Sequence, residues 1–216
     1  SKLMELDMKH YLNMIDYQEL ASIINDNSKY KKSPTIQKIF NYEPALFNKI
    51  KSYVYFPFQN REELNRAVSL YVDITTKDKA IEHYNHISLW DVSKITDMSY
   101  LFYYVNEIFE DDDEMNGFPN DKYMEIDFNE NINDWDVSNV VNMEGMFEGC
   151  LKFNQPLDKW DVSNVKNMSN MFKFCDDFDQ ILNTWDVSQV TNMHKMFFEC
   201  RIFNKPISKW DVSNVK

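Results

Sequence analysis

Apolar residues in the second half of this chain recur about every three positions, a spacing that fits neither one long helix nor an alternating strand. In the stretch that opens at Trp160 they are Trp160, Val162, Val165, Met168, Met171, Phe172, Cys175, Phe178 and Leu182. A coil has this spacing when each short straight segment sends one side chain inward. The tetrapeptide Trp-Asp-Val-Ser begins at Trp90, Trp135, Trp160, Trp185 and Trp210, in steps of 45, 25, 25 and 25 residues. A fixed period of that length marks a repeat array, in which each unit buries its apolar face only against its neighbours. Within the unit, Met168, Met171, Phe172 and Cys175 predict one helical or 3₁₀ turn, and Phe178 to Trp185 predicts a more extended run.

The first unit departs from this rule. It reaches Leu101 and Phe102 on schedule and has Val105 at the cysteine position, then carries 20 extra residues (45 − 25) before Phe128 and Asn129. This insert, about residues 106–127, is the most acidic part of the chain and holds Glu107, Glu110, Asp111, Asp112, Asp113 and Glu114. Such a charge run cannot pack inward, so it is expected to leave the stack as a loop and to offer these six residues to a partner.

Upstream of the repeats the pattern changes. "NREELNRAVSLYV" predicts a helix capped by Asn60, with Glu63 in capping-box position and Leu64, Val68 and Tyr71 on one face. A shorter helix is expected over "TKDKAIEHY". These two, within 60–85, would cover the apolar end of the first repeat, as a soluble stack requires. Residues 1–59 hold no copy of the repeat, and Tyr11, Leu12, Ile15, Leu20, Ile23 and Ile24 suit short amphipathic helices. A helical module at 1–59, a helical lead-in at 60–85 and a repeat region at 86–216 together make an α+β repeat protein.

Composition narrows the function classes. The net charge of −12 and pI near 4.7 would repel phosphate backbones, so neither nucleic acid nor an anionic membrane is an expected partner. No apolar run approaches the ~20 residues of a membrane helix. "SKLMELDMKHYL" lacks the layout of a signal peptide, which with Ser1 as the native start predicts an intracellular protein. The 24 Asn, with many Lys, Ile and Tyr, suggest codon usage from an AT-rich genome.

Candidate chemistry is sparse. His10, His83, His86 and His194 are scattered, and no Gly-rich phosphate loop, HExxH or GxSxG occurs. No cofactor and no enzymatic activity are expected. Cys150, Cys175 and Cys200 share one phase of the repeat and read as reduced, buried thiols rather than metal ligands. Asp136, Asp161 and Asp186, with Asp91 and Asp211, form a column of carboxylates. Calcium between turns could balance them, but the repeat lacks the glycines of calcium rolls, so Asx-type turns closing on the Ser two residues on are expected. Asn142, Asn167 and Asn192, with Asp97, are expected to satisfy backbone groups in the same way. Trp135, Trp160 and Trp185 should stack as a ladder beside Phe147, Phe172 and Phe197.

"MFEGCLKFNQPLDKWDVSNVKNMSNMF" resembles the 25-residue units of the BspA-like leucine-rich-repeat proteins, also described as the DUF285 or mycoplasma lipoprotein-type repeat. The resemblance covers about 86–216, and "REELNRAVSLYV…HYNHISLWDVSKITDMSYLF" is similar to the lead-in of such arrays. It implies a right-handed, leucine-rich-repeat-like solenoid used in adhesion or protein contact, with no catalytic residues. Secreted members carry a signal peptide or lipobox cysteine that this start does not show. Similar repeats in proteins of giant DNA viruses imply a second setting, a virion-associated or capsid-associated protein made in host cytoplasm. "LDMKHYLNMIDYQELASIINDNSKYKKS" also resembles an F-box, with Asp16 and Leu20 in place but no opening Leu-Pro, which would make the chain an adaptor for a Skp1-type ubiquitin-ligase component.

The expectation is therefore a non-enzymatic scaffold that binds other proteins. A surface adhesin and the F-box-like adaptor are the alternatives. The last unit holds only Trp210, Val212 and Val215 of its apolar set, so a longer native chain or self-association through the open end is expected.

Overall fold

The computed structural model describes residues 55–103 and 128–216. The helical module and F-box-like stretch expected before residue 55, and the insert with Glu107 and Glu110 to Glu114, lie outside the described residues.

The chain enters through β1, Phe56–Pro57, which pairs in parallel with β2, Trp90–Asp91. Between them run α1 (Arg61–Val72), α2 (Lys77–Tyr84) and a 3₁₀ turn, η1, at Ile87–Leu89. Asn60 caps α1 by accepting the Glu63 N–H at 2.9 Å, while the Glu63 carboxylate reaches past Asn60 to the Gln59 N–H at 3.0 Å. Asp73 turns the chain between the helices by accepting the Thr75 N–H at 2.7 Å. At the end of α2, Asn85 takes a positive φ (64°) with an extended ψ (−178°), which ends the helix, and donates its N–H to Ile81 O.

α1 buries Leu64, Ala67, Val68 and Tyr71. The Tyr71 ring meets Trp90 edge-on at 5.5 Å, and Phe58 meets the same indole at 5.0 Å. The two helices and β1 thus cover one end of the apolar column. Phe58, just ahead of α1, packs into this cap as well: it is fully buried and its N–H bonds Asp91 O at 3.0 Å.

From Phe128 on, residues 25 apart lie on one another, and the coil before the insert meets the next at a spacing of 45. Asn142, Asn167 and Asn192 form successive parallel bridges, with Asp97 joined to Asn142 across the insert. Phe147, Phe172 and Phe197 stack at 5.6 Å, and Phe153, Phe178 and Phe203 at 6.0 and 5.9 Å. Inside one coil the two columns touch, with Phe147–Phe153 at 4.1 Å. Phe102 and Phe128 stack at 4.0 Å, so the residues on either side of the insert complete one coil and keep its two aromatic columns in contact.

The stretch Met168 to Cys175 is not the single helical or 3₁₀ turn that its spacing suggests. Met171, Lys173 and Cys175 donate N–H groups to the residue three back, whereas Met168, Asn170, Phe172 and Phe174 donate theirs to the next coil. Pointing alternate N–H groups along the stack needs left-handed residues, which stand at Asn170 (φ 55°) and Phe174 (φ 60°). The same two places hold Gly145 and Gly149 one coil earlier, and Lys195 and Glu199 one coil later. A non-glycine residue there costs roughly 1–2 kcal/mol. Full pairing of the buried backbone offsets that cost.

Candidate functional site

The side chains that repeat are spent on holding coils together. Trp160, Trp185 and Trp210 stack at 6.5 and 6.3 Å, and Trp90 lies on Trp135 at 6.2 Å. From Trp135 on the indole N–H reaches back to the preceding coil, Trp135 to Ile87 O, Trp160 to Ile132 O and Trp185 to Leu157 O, at 2.9 to 3.1 Å, whereas that of Trp90 closes locally on Asn85 O. The thiols do the same. Cys175 donates to Phe147 O at 3.0 Å and Cys200 to Phe172 O at 2.7 Å, and Cys150 points at Phe102 O at 3.6 Å. Burial pushes all three thiols above their ordinary range, Cys200 to about 11, so they are held as poor nucleophiles.

Asp136 and Asp161 each accept the N–H of the Ser two residues on at 3.1 Å and its hydroxyl at 2.6 Å. Asp186 accepts the Ser188 N–H at 3.0 Å, and the Ser188 hydroxyl and N–H hold its carboxyl below the usual range. Asn167 accepts from Ser169 N and Oγ, and its amide donates to Glu144 at 3.0 Å. Among the described residues no group of three or more His, Cys, Asp or Glu side chains converges on a point that could hold a metal ion.

Three further columns escaped the sequence reading. Asn129, Asn154 and Asp179 each accept a backbone N–H from the next coil, from Asn154, Asp179 and Asn204 at 2.9 to 3.0 Å. Asn133 and Asn183 take the Lys159 and Lys209 N–H groups at 3.1 Å. Asn139, Asn164 and Asn214 donate their amides back to Ser93, Ser138 and Ser188 carbonyls. The signal was in the sequence as asparagine recurring at fixed phase, which reads as base composition until the coils are stacked.

What does not repeat faces outward at one corner of the coils. At successive left-handed positions stand Tyr100, Gly145, Asn170 and Lys195. The Tyr100 ring lies over Gly145, where a Cβ would come within 2.3 Å of it, and its hydroxyl donates to Glu144 at 2.9 Å. Tyr103 packs edge-on against it at 5.6 Å. Glu148 and Lys173 pair at 2.6 Å, and Phe174 and Phe198 meet edge-on at 5.8 Å. Tyr100, Tyr103 and Phe198 are 38%, 41% and 45% exposed, whereas the repeating aromatic columns are buried up to the last coil, where Phe197, Phe203 and Trp210 are half-buried.

The cap meets the stack through a second polar group. Arg61 binds the Asp97 carboxylate and donates to Ser99 O at 2.7 Å, so an ion pair stands where later coils have an Asn bridge. Partial burial opposes ionisation of Asp97, but the Ser99 N–H and hydroxyl and the Arg61 guanidinium outweigh it and lower the pKa. Lys77 pairs with Glu130 at 2.7 Å, and His86 Nε2 lies 3.8 Å from the other oxygen of that carboxylate.

These features define a class of protein, a repeat stack whose fixed residues build the coils and whose variable residues line its surface. The family model described as "Mycoplasma protein of unknown function, DUF285" matches residues 58–117 and 115–216. The chain belongs to this family. No curated protein and no solved structure matched the chain.

Proposed function

We propose that this chain is a non-enzymatic protein-interaction scaffold, with its coils forming a right-handed, leucine-rich-repeat-like solenoid. The observation that carries this reading is the division of labour between side chains. Repeating Trp, Asp, Asn, Cys and Phe residues bond within the stack, and the exposed aromatics sit where the repeat is not kept. Exposed aromatic side chains grouped on a surface favour contact with another protein. The acidic insert, which follows Tyr103 closely in the sequence, supplies charge for the same contact.

A photo-crosslinking residue placed at 103, 141 or 161 in turn tests the reading. Positions 103 and 141 lie at exposed, variable sites, and position 161 lies in the Asp column. One discrete protein adduct formed from 103 or 141, and weakened by deleting 107–125, is the expected result. Equal labelling from all three positions, or none from any, would reject a defined contact surface.

A further inference from the structure

Four residues before Trp135, Asn131 accepts the Asn133 N–H at 3.0 Å; later coils have Pro156, Ile181 and Pro206 at that place. Forty-five residues before Asn131, at the matching place before Trp90, stands His86. Its Nδ1 accepts the Ser88 N–H at 3.3 Å and lies 2.9 Å from the Ser88 hydroxyl, capping η1. With Nδ1 accepting from the Ser88 N–H, the neutral ring is assigned its hydrogen on Nε2, on the side of Glu130. The chain has thus put a group that titrates near neutrality where the next coil uses an amide that does not.

We propose that His86 is a proton-sensitive latch, which holds the helical cap on the first coil when neutral and loosens it when protonated. The turn that it caps joins three parts. Ile87 and Leu89 are fully buried, Ile87 O takes the Trp135 indole N–H at 2.9 Å, and Leu89 leads directly into Trp90 and β2. A proton on Nδ1 abolishes the acceptor and sets N–H against N–H at Ser88.

The neighbours compensate only in part: the Ser88 hydroxyl, 2.9 Å from Nδ1, could accept a bond from the new proton, but the Ser88 N–H would still lose its acceptor. Glu130 would attract an imidazolium, but its carboxylate already holds Lys77 at 2.7 Å, and that ammonium would repel the new charge. The Tyr71 ring closes the site edge-on at 5.9 Å, with Lys77 above its face and its hydroxyl buried with no hydrogen-bond partner among the described residues. Burial chiefly, with Lys77 in support and Glu130 in opposition, lowers the His86 pKa from 6.5. A folded pKa below the unfolded one means that the stabilisation is complete above pH 6.5 and is lost as pH falls through that value toward the folded pKa.

Amide hydrogen exchange on the whole chain, corrected for intrinsic rates, would read the opening of η1 and β2 against that of the coils after Met143. Between pH 7.5 and 5.5 opening of the cap amides should rise, by at most about ten-fold, with the coil amides unchanged. His86→Asn restores the acceptor found at Asn131 and should abolish the rise. Ring-nitrogen NMR of the unaltered protein gives an independent reading, with Nδ1 unprotonated at pH 7.5 and a midpoint below 6.5. A rise that persists in H86N, a proton on Nδ1 at pH 7.5, or a midpoint at or above 6.5 would each overturn the latch.

Discussion

Replacing Phe172 by alanine tests the stack at its centre. The ring is fully buried and touches Phe147 and Phe197 at 5.6 Å in the coils on either side, Phe178 at 4.1 Å in its own coil, and Trp185 at 6.3 Å. Truncating a buried Phe costs about 3–5 kcal/mol, and each aromatic pair adds about 0.5–1.5 kcal/mol beyond area. Those contributions overlap, and the coils on both sides are held by backbone bonds that resist collapse into the hole, so the upper part of the range is expected, about 4–5 kcal/mol. Phe197, which is only half-buried and meets fewer coils, should lose about half as much. Guanidinium unfolding followed by tryptophan fluorescence reads both variants, because Trp185 and Trp210 sit beside the two sites. A loss below about 1 kcal/mol for Phe172→Ala would place the ring outside a packed core and refute the stacking argument.

Gly145→Ala and Gly149→Ala separate backbone strain from crowding. Both residues are left-handed, but only at 145 does a Cβ strike Tyr100, so Gly149→Ala should cost about 1 kcal/mol and Gly145→Ala about 2–3, with the excess removed in a Tyr100→Ala background. Asn154→Ala removes the acceptor for Asp179 N and Gln180 Nε2 and should cost about 1–2 kcal/mol in a melt, whereas Asn154→Asp keeps it, as coil three does with Asp179. Removing divalent cations with a chelator should leave circular dichroism unchanged, because the Asp column closes on its own serines; a loss of structure would make it a metal site. An alkylating thiol reagent at pH 8 should modify Cys200 slowly and leave Cys150 and Cys175 intact until the stack unfolds, and fast modification of Cys150 would contradict its burial.

Much of the candidate surface was not legible before folding. The Trp, Phe and Cys columns are visible in the sequence, because equal residues at equal phase of a repeat must meet equal environments. Tyr100 and Tyr103 break the repeat and so look like noise. Only their exposure and their contact over Gly145 mark them as surface features. Arg61 reads as an unremarkable first-turn residue of a helix until α1 is laid on the first coil and brings it to Asp97.

The sequence by itself determined the period, the inward set and the cap of α1 at Asn60, since each follows from spacing along a few residues of chain. It also held the Asx turns, whose donor and acceptor stand two residues apart. Tertiary structure decided everything that runs between coils. The asparagine columns, the left-handed corner and the Ser88 turn under His86 draw their partners or their packing from residues that only stacking brings together. A left-handed Phe174 is unfavourable in isolation, and becomes the better state only when the next coil offers the Phe198 carbonyl to its N–H.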